Sequence, residues 1–156
     1  MSAGGSRHGS VADQLFAREA ALDALAELDA AQMAQTQAQS APVRQYAARQ
    51  LEAYGKARQM LLSLAAIHDD PDATALDPAH QRTLEDLAKL HGQMFDVGYL
   101  RAEAAAHQKT AELYEWILAT GRDPSVKGYA VGVLPTVLQE LESAQGLLVQ
   151  MGPASE

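Results

Sequence analysis

Between Val11 and Gln39 the chain carries neither proline nor glycine. A stretch of that length built from Ala, Leu, Gln and Glu is held to one regular backbone, because these residues lose little side-chain freedom in a helix. Leu15, Leu22, Ala26 and Met33 recur at helical spacing with Leu25 and Leu28 on the flank, so the segment reads as one long amphipathic helix. The interruptions that follow fall where helices start and stop. Pro42, in Ser40-Ala41-Pro42, cannot continue the first helix but suits the opening turn of a second. Along that second helix Val43, Tyr46, Ala47, Gln50, Tyr54, Ala57, Leu61, Leu64 and Ala65 share a face, and the pattern fades at Ile67.

His68 to Pro78 holds four Asp and two Pro and reads as a long crossover. Asp77-Pro78 supplies a cap and first-turn pair for a short helix bearing Leu84, Leu87 and Leu90, which Gly92 ends or kinks. A third long helix is expected from Gln93 to Thr120, with Phe95, Tyr99, Ala102, Ala106, Thr110, Leu113 and Ile117 inward and Gly121 as its stop. Asp123-Pro124 repeats the cap-then-proline start. The fourth helix, Pro124 to Gln150, turns Val126, Ala130, Val133, Val137, Leu141, Ala144 and Leu148 inward, with Pro135 expected to bend it. Four rods of about 25 residues would each measure about 38 Å, a good match for side-by-side packing. The expectation is an all-α, ferritin-like four-helix bundle over residues 11–150, with a crossover and a short extra helix between helices two and three. Residues 1–10 read as a Gly- and Ser-rich leader and 151–156 as a tail.

Composition narrows the function classes. With 31 Ala and 20 Leu against 16 Val, Ile and Thr together, a β fold is excluded. A net charge of -8 repels phosphate backbones, so nucleic acid is not an expected partner. The absence of Cys removes thiolate chemistry and Cys-based metal sites. No apolar run is long enough for a transmembrane segment, and no basic start with an apolar h-region, the mark of a signal peptide, appears at Met1. Tyr114, Trp116 and Leu118 fall partly off the core stripe, which leaves an apolar patch suited to a protein partner or a homodimer.

Particular residues in order add a resemblance. They are Phe16-Ala17, Ala26-Glu27, Val43-Arg44 with Tyr46-Ala47, His80, Phe95-Asp96 followed by Tyr99-Leu100, His107, Gly121 with Asp123-Pro124, and Leu134-Pro135-Thr136. Spanning Phe16 to Leu148, the series resembles the bacterial domain-of-unknown-function family four-one-four-two, whose members are often labelled outer-membrane or secreted proteins. The resemblance implies a ferritin-like bundle, a periplasmic or secreted location, and no settled biochemical role. Members of that family commonly carry a His on helix two and another on helix four; by spacing those positions are Tyr54 and Glu140 here. Only His107, on helix three, matches a family histidine placed to face a site.

A ferritin-like di-iron centre needs carboxylates from two helices and a Glu-x-x-His pair from each of the others. This chain has no Glu-x-x-His. Its nearest substitute is Glu103 with His107 at i,i+4, expected at the edge of the apolar stripe, which Glu27, Glu52 and Glu140 could approach from other helices. A degenerate metal or small-ligand site around Glu27, Glu52, Tyr54, Glu103, His107 and Glu140 is therefore the alternative to a non-enzymatic bundle that acts by binding or structure. No cofactor is expected beyond a weakly held divalent ion. Asp29 falls among the inward positions of the first helix and needs a partner, so Asp29, Gln50 and Tyr54 are expected to form a polar core cluster. The other histidines, His8, His68, His80 and His91, are expected to be solvated. No phosphate loop, Gly-x-Ser-x-Gly elbow or His-Glu-x-x-His is present.

Overall fold

A computed structural model describes residues 9–67, 70 and 73–152 of the chain. Most of the expected leader and tail, and the His8 and His68 expectations, lie outside the described residues. The helices are α1 (Val11–Gln37), α2 (Ala41–Leu62), α3 (Pro78–Ala88), α4 (Gly92–Thr120) and α5 (Pro124–Met151), with a 3-10 turn at Ala65–Ile67. The caps are those the sequence implies. Ser40 accepts from Val43 N at the start of α2, Asp77 accepts from His80 N at α3, and Asp123 accepts from Ser125 N at α5. The short helix stops at Ala88 rather than at Gly92. Gly92 instead opens α4 at a φ of 59°, which a side chain would resist, and His91 is the N-cap of α4 rather than the end of α3. α5 runs without interruption through Pro135.

Cross-helix contacts fix the topology. Gln39 N donates to Asp96 at the start of α4, while Phe16 stacks edge-on against Tyr114 near its end at 5.1 Å, so α1 and α4 run antiparallel. Tyr46 meets Tyr99 and Tyr54 meets His107, so α2 and α4 run parallel. Gln50 pairs with Glu140, and Tyr129 with Tyr114, which sets α5 antiparallel to both. Two hairpins, α1–α2 and α4–α5, thus form the bundle. The connection from the end of α2 to the start of α4 must return along its length, and it carries α3 across the seam between α1 and α4. Among the described residues no helix is long and apolar enough to cross a membrane.

Each hairpin turn is held by an aspartate from the other hairpin. Asp96 of α4 is 1% exposed and accepts from Gln39 N at 2.8 Å and Ser40 N at 2.9 Å, in the α1–α2 turn. Asp13 of α1, fully buried, closes a capping box with Ser10 and accepts from Arg122 N at 3.0 Å and Asp123 N at 3.1 Å, in the α4–α5 turn. Gly121 is required by this approach, since a Cβ there would stand 2.9 Å from Asp13 Oδ1 and 2.7 Å from Ile117 O. Burial, the largest single influence on the Asp13 carboxyl, pushes it up, but the backbone amides of Ser10, Arg122 and Asp123 together with the Ser10 hydroxyl hold it below the usual range.

The buried face of α1 differs from the expected one. Phe16, Ala17, Ala20, Ala21, Ala24, Ala30, Ala31 and Ala34 are buried, whereas Leu15 is 48% exposed. α1 contacts α2 on one side and α4 on the other, so its buried arc is wide and lined with alanines that admit both neighbours closely. A Leu-weighted stripe marks only part of that arc. The Ala- and Gln-rich end of α1 is ordinary bundle packing, with Ala30, Ala31, Ala34 and Ala38 buried.

Asp96→Ala leaves two backbone amides at the α1–α2 turn without their charged acceptor and is expected to cost about 3 kcal/mol, with Asp96→Asn recovering part of the loss. Urea unfolding measures this as a lowered midpoint at unchanged slope.

Candidate ligand-binding site

The apolar core is in two parts. One is built around Phe16, Tyr114 and Tyr129, the other around Tyr46, Phe95 and Tyr99. Between them lies a polar layer to which all four long helices contribute: Glu27 from α1, Gln50 from α2, Glu103 and His107 from α4, and Glu140 from α5. Glu27, Gln50, Glu103 and His107 are all buried. Gln50 Nε2 donates to Glu140 Oε2 at 2.7 Å, which turns its Oε1 toward His107 Nε2 at 3.2 Å. An amide oxygen only accepts, so that ring nitrogen carries the proton and Nδ1 accepts from the Tyr54 hydroxyl at 3.3 Å. The Tyr46 hydroxyl is also 3.1 Å from Nε2. His107 is thus a neutral ring with both nitrogens engaged, and burial pushes its pKa down to about 4.

Glu27 and Glu103 face a different surrounding. Their carboxyls approach closely enough to share a proton, and desolvation, followed by the charge of Glu103, pushes Glu27 well above the usual carboxylate range. Glu103 is raised as well, chiefly by its burial. Glu27 Oε2, Glu103 Oε1 and the Tyr99 hydroxyl are buried and make no well-formed hydrogen bond to the rest of the protein; their nearest polar neighbours are one another, Tyr99 beside Glu103 and Glu103 beside Glu27. Burying a carboxylate beside another costs several kcal/mol, which the upward shift of both groups relieves by favouring protonation. All three residues line a lateral cavity of about 640 Å³ between α1, α3 and α4. Its inner end is made by buried Glu27, Leu87, Tyr99 and Glu103, and its mouth by exposed Glu19, Thr83, Lys109, Glu112 and Trp116.

Of the residues expected at a site, Glu27, Glu103 and His107 do come together, with one ligand-type atom from each lying within 4.8 Å of the others. Tyr54 contacts His107 directly, and Glu140 reaches it through Gln50. Glu52 does not belong: its side chain is 73% exposed on the outer face of α2, paired with Lys56. Asp29 does not join Gln50 and Tyr54 either. It is half-buried near Arg58, which donates to Ala21 O and Ala73 O, because the true inward arc of α1 passes through Glu27. Glu103 and His107 lie on the central buried stripe of α4 rather than at its edge. Ala102, Ala106 and Leu113, expected to face the core, are half-buried cavity wall.

Two further groups escaped the sequence reading. Tyr46 and Tyr99 were legible only as core aromatics, although a phenol on an inward stripe brings a hydroxyl that needs a partner. His80 is not solvated but set between Asp23 on α1, at 2.9 Å, and Asp77 at 2.6 Å, which ties α3 to α1 beside the cavity. The hydrogen bond to Asp23 is the main cause of its pKa rising to about 9.

The arrangement belongs to a recognisable class of protein, a helical bundle with a polar layer across its middle. The chain matches the family model of the domain of unknown function DUF4142 over residues 1–147 and is a member of that family. No curated protein matches it. Among solved structures it is similar to a DUF305 fragment from Deinococcus radiodurans, with a TM-score of 0.79, 18% identity, and coverage of 91% of this chain and 98% of that one. A DUF305 protein from Streptomyces coelicolor, provisionally described as secreted, gives a TM-score of 0.74 at 18% identity over 93% of this chain and 96% of its own. Likeness at this identity extends to the fold alone.

A two-ion centre of the ferritin type does not fit these residues. It calls for about six converging ligands including two imidazoles, whereas among the described residues one imidazole and two carboxylates converge. What the layer offers is a buried pair of carboxyls, both raised above the usual range, open toward a cavity.

Because folded Glu27 keeps a proton that the unfolded chain releases above about pH 4.5, its contribution to stability falls as pH rises through its elevated folded pKa. Glu27→Gln mimics the protonated form. It is expected to leave stability at pH 4 nearly unchanged and to raise it at pH 8 by about 1 kcal/mol or more, roughly 2–4 °C in Tm. His80 acts in the same direction, its contribution being complete below about pH 6.5 and lost as pH rises through about 9. His80→Gln should flatten that alkaline limb in the same thermal scans.

Proposed function

We propose that this protein acts by binding rather than by catalysis, outside the cytoplasm, and that its ligand is a small cation taken into the cavity between α1, α3 and α4. The observation that carries the reading is the buried Glu27–Glu103 pair, whose outward oxygens make no well-formed hydrogen bond to the rest of the protein at the inner end of a cavity large enough for a small ligand. Acidic Glu19, Asp23 and Glu112 outnumber the cationic Lys109 and His80 in the lining and favour a cation over an anion. His107, neutral and held on both sides by Gln50, Tyr46 and Tyr54, serves in this reading to position the layer and not to transfer protons. The extracytoplasmic location rests on the family resemblance and on the description of the Streptomyces coelicolor protein as secreted.

A second reading has its own observation. The ligand-type atoms of Glu27, Glu103 and His107 lie within 4.8 Å of one another, a span that one divalent ion could bridge. His107 would have to give up a bond to Gln50, Tyr46 or Tyr54 to join it.

The test is a thermal-shift series on untagged protein freed of metal by chelator and exchanged into buffer without it. Divalent ions, polyamines and monoamines are compared with carboxylates and alcohols of matched size. A cationic compound at 100 times its Kd should stabilise the fold by about 2.7 kcal/mol, roughly 5–10 °C, and the effect should vanish in the Glu27→Gln/Glu103→Gln double variant. Equal response to neutral or anionic compounds, or no response to any cation, would overturn the proposal.

A further inference from the structure

The cavity says more about its occupant than the sign of its charge. Its inner end clusters three oxygen atoms, Glu27 Oε2, Glu103 Oε1 and Tyr99 Oη, whose nearest polar neighbours are one another and which keep lone pairs free to accept, while the His107 nitrogens are already engaged. Three hydrogen-bond donors on one compact positive centre describe a primary ammonium group. From that end outward the wall is hydrocarbon: Ala30, Leu87, Ala102, Ala106 and Leu113, with Trp116 at the mouth. A volume of about 640 Å³ is far more than a single ion or ammonium group fills. Water in an apolar-walled space beside two carboxyls is readily displaced by a hydrocarbon chain.

We infer that the ligand is an amphipathic primary amine, its ammonium group seated among Glu27, Glu103 and Tyr99 and its apolar body lying along the alanine- and leucine-lined wall toward Trp116. This rests on the cation-binding reading above and narrows it to one ligand class. A metal ion would use the carboxylates but leave the hydrocarbon wall without a function. A polyamine could set its second charge against Glu19, Asp23 or Glu112 at the mouth, so the putrescine arm of the experiment below decides against it or for it.

Trp116, the single tryptophan of the chain, reports on the mouth. The experiment is isothermal titration, together with Trp116 fluorescence, of the full chain with hexylamine, hexan-1-ol, hexanoate, putrescine and zinc. Hexylamine should bind with one-to-one stoichiometry at least tenfold more tightly than hexan-1-ol, hexanoate or putrescine, and perturb Trp116 emission. Glu103→Gln should weaken hexylamine binding at least tenfold. Ala106→Leu, which fills the wall and leaves the carboxyls in place, should do the same and keeps the test open if the Gln variant folds poorly. Equal affinity for hexan-1-ol, or unchanged affinity in a folded Glu103→Gln protein, overturns the amine assignment. Tight putrescine binding that is indifferent to Ala106→Leu also overturns it. Zinc bound stoichiometrically and lost in His107→Gln, with no hexylamine binding, overturns it too but leaves the broader cation reading standing. Binding of none of the three cations removes both.

Discussion

Two buried aspartates set the relation of the hairpins, and the rest of the molecule is positioned by them. Asp13 and Asp96 lie near opposite ends of the bundle, each on one hairpin and each accepting backbone amides from the turn of the other. Helices that pack through alanines have few bulky knobs to resist sliding, so their relative translation needs another determinant. A charged acceptor receiving two amides tolerates little displacement, because lengthening those bonds strands a buried charge. With both ends fixed in this way, α1 and α4 cannot shift by a turn, and Glu27 comes to rest opposite Glu103.

The middle layer exploits that fixed register. Glu140 orients the Gln50 amide, Gln50 sets the proton position on His107, and Tyr54 meets the remaining nitrogen. This half of the layer is satisfied within the protein. The other half is not, and the difference follows the helices: α2 and α5 close over His107, whereas the seam between α1 and α4 is spanned by the short α3 and stays open beside Glu27 and Glu103. One layer thus has a side satisfied within the protein and a side open to the cavity.

Much of the fold was legible in the sequence because its punctuation is chemical. Ser40, Asp77 and Asp123 cap helices where proline follows in the first turn, and those starts came out within a residue or two. The faces of α1 and α4 were harder to read. Alanine serves a buried seam and a cavity wall equally well, so Ala102 and Ala106 looked like core, while Glu103 and His107, on the central stripe, looked marginal because charged residues are rarely buried. Asp29 was read as inward for the opposite reason, because it keeps the helical spacing of Leu22 and Met33, whereas the buried arc of α1 runs through Glu27. Glu52 failed for a simpler reason: nothing in one-dimensional spacing separates an outer-face carboxylate paired with Lys56 from one that turns in. The cavity is a property of three helices at once and has no signature in any single segment.

The alanine wall carries a consequence for how such a chain diversifies. Where a chamber is bounded by methyl groups on rigid rods, its length and width change by one or two carbons whenever Ala30, Ala102 or Ala106 is exchanged for a larger aliphatic residue, with no loop to rebuild and no cap disturbed. Relatives built on the same pair of clamps could therefore keep a common acidic seat and differ in the guest they accommodate, in the manner of a socket supplied in graded sizes.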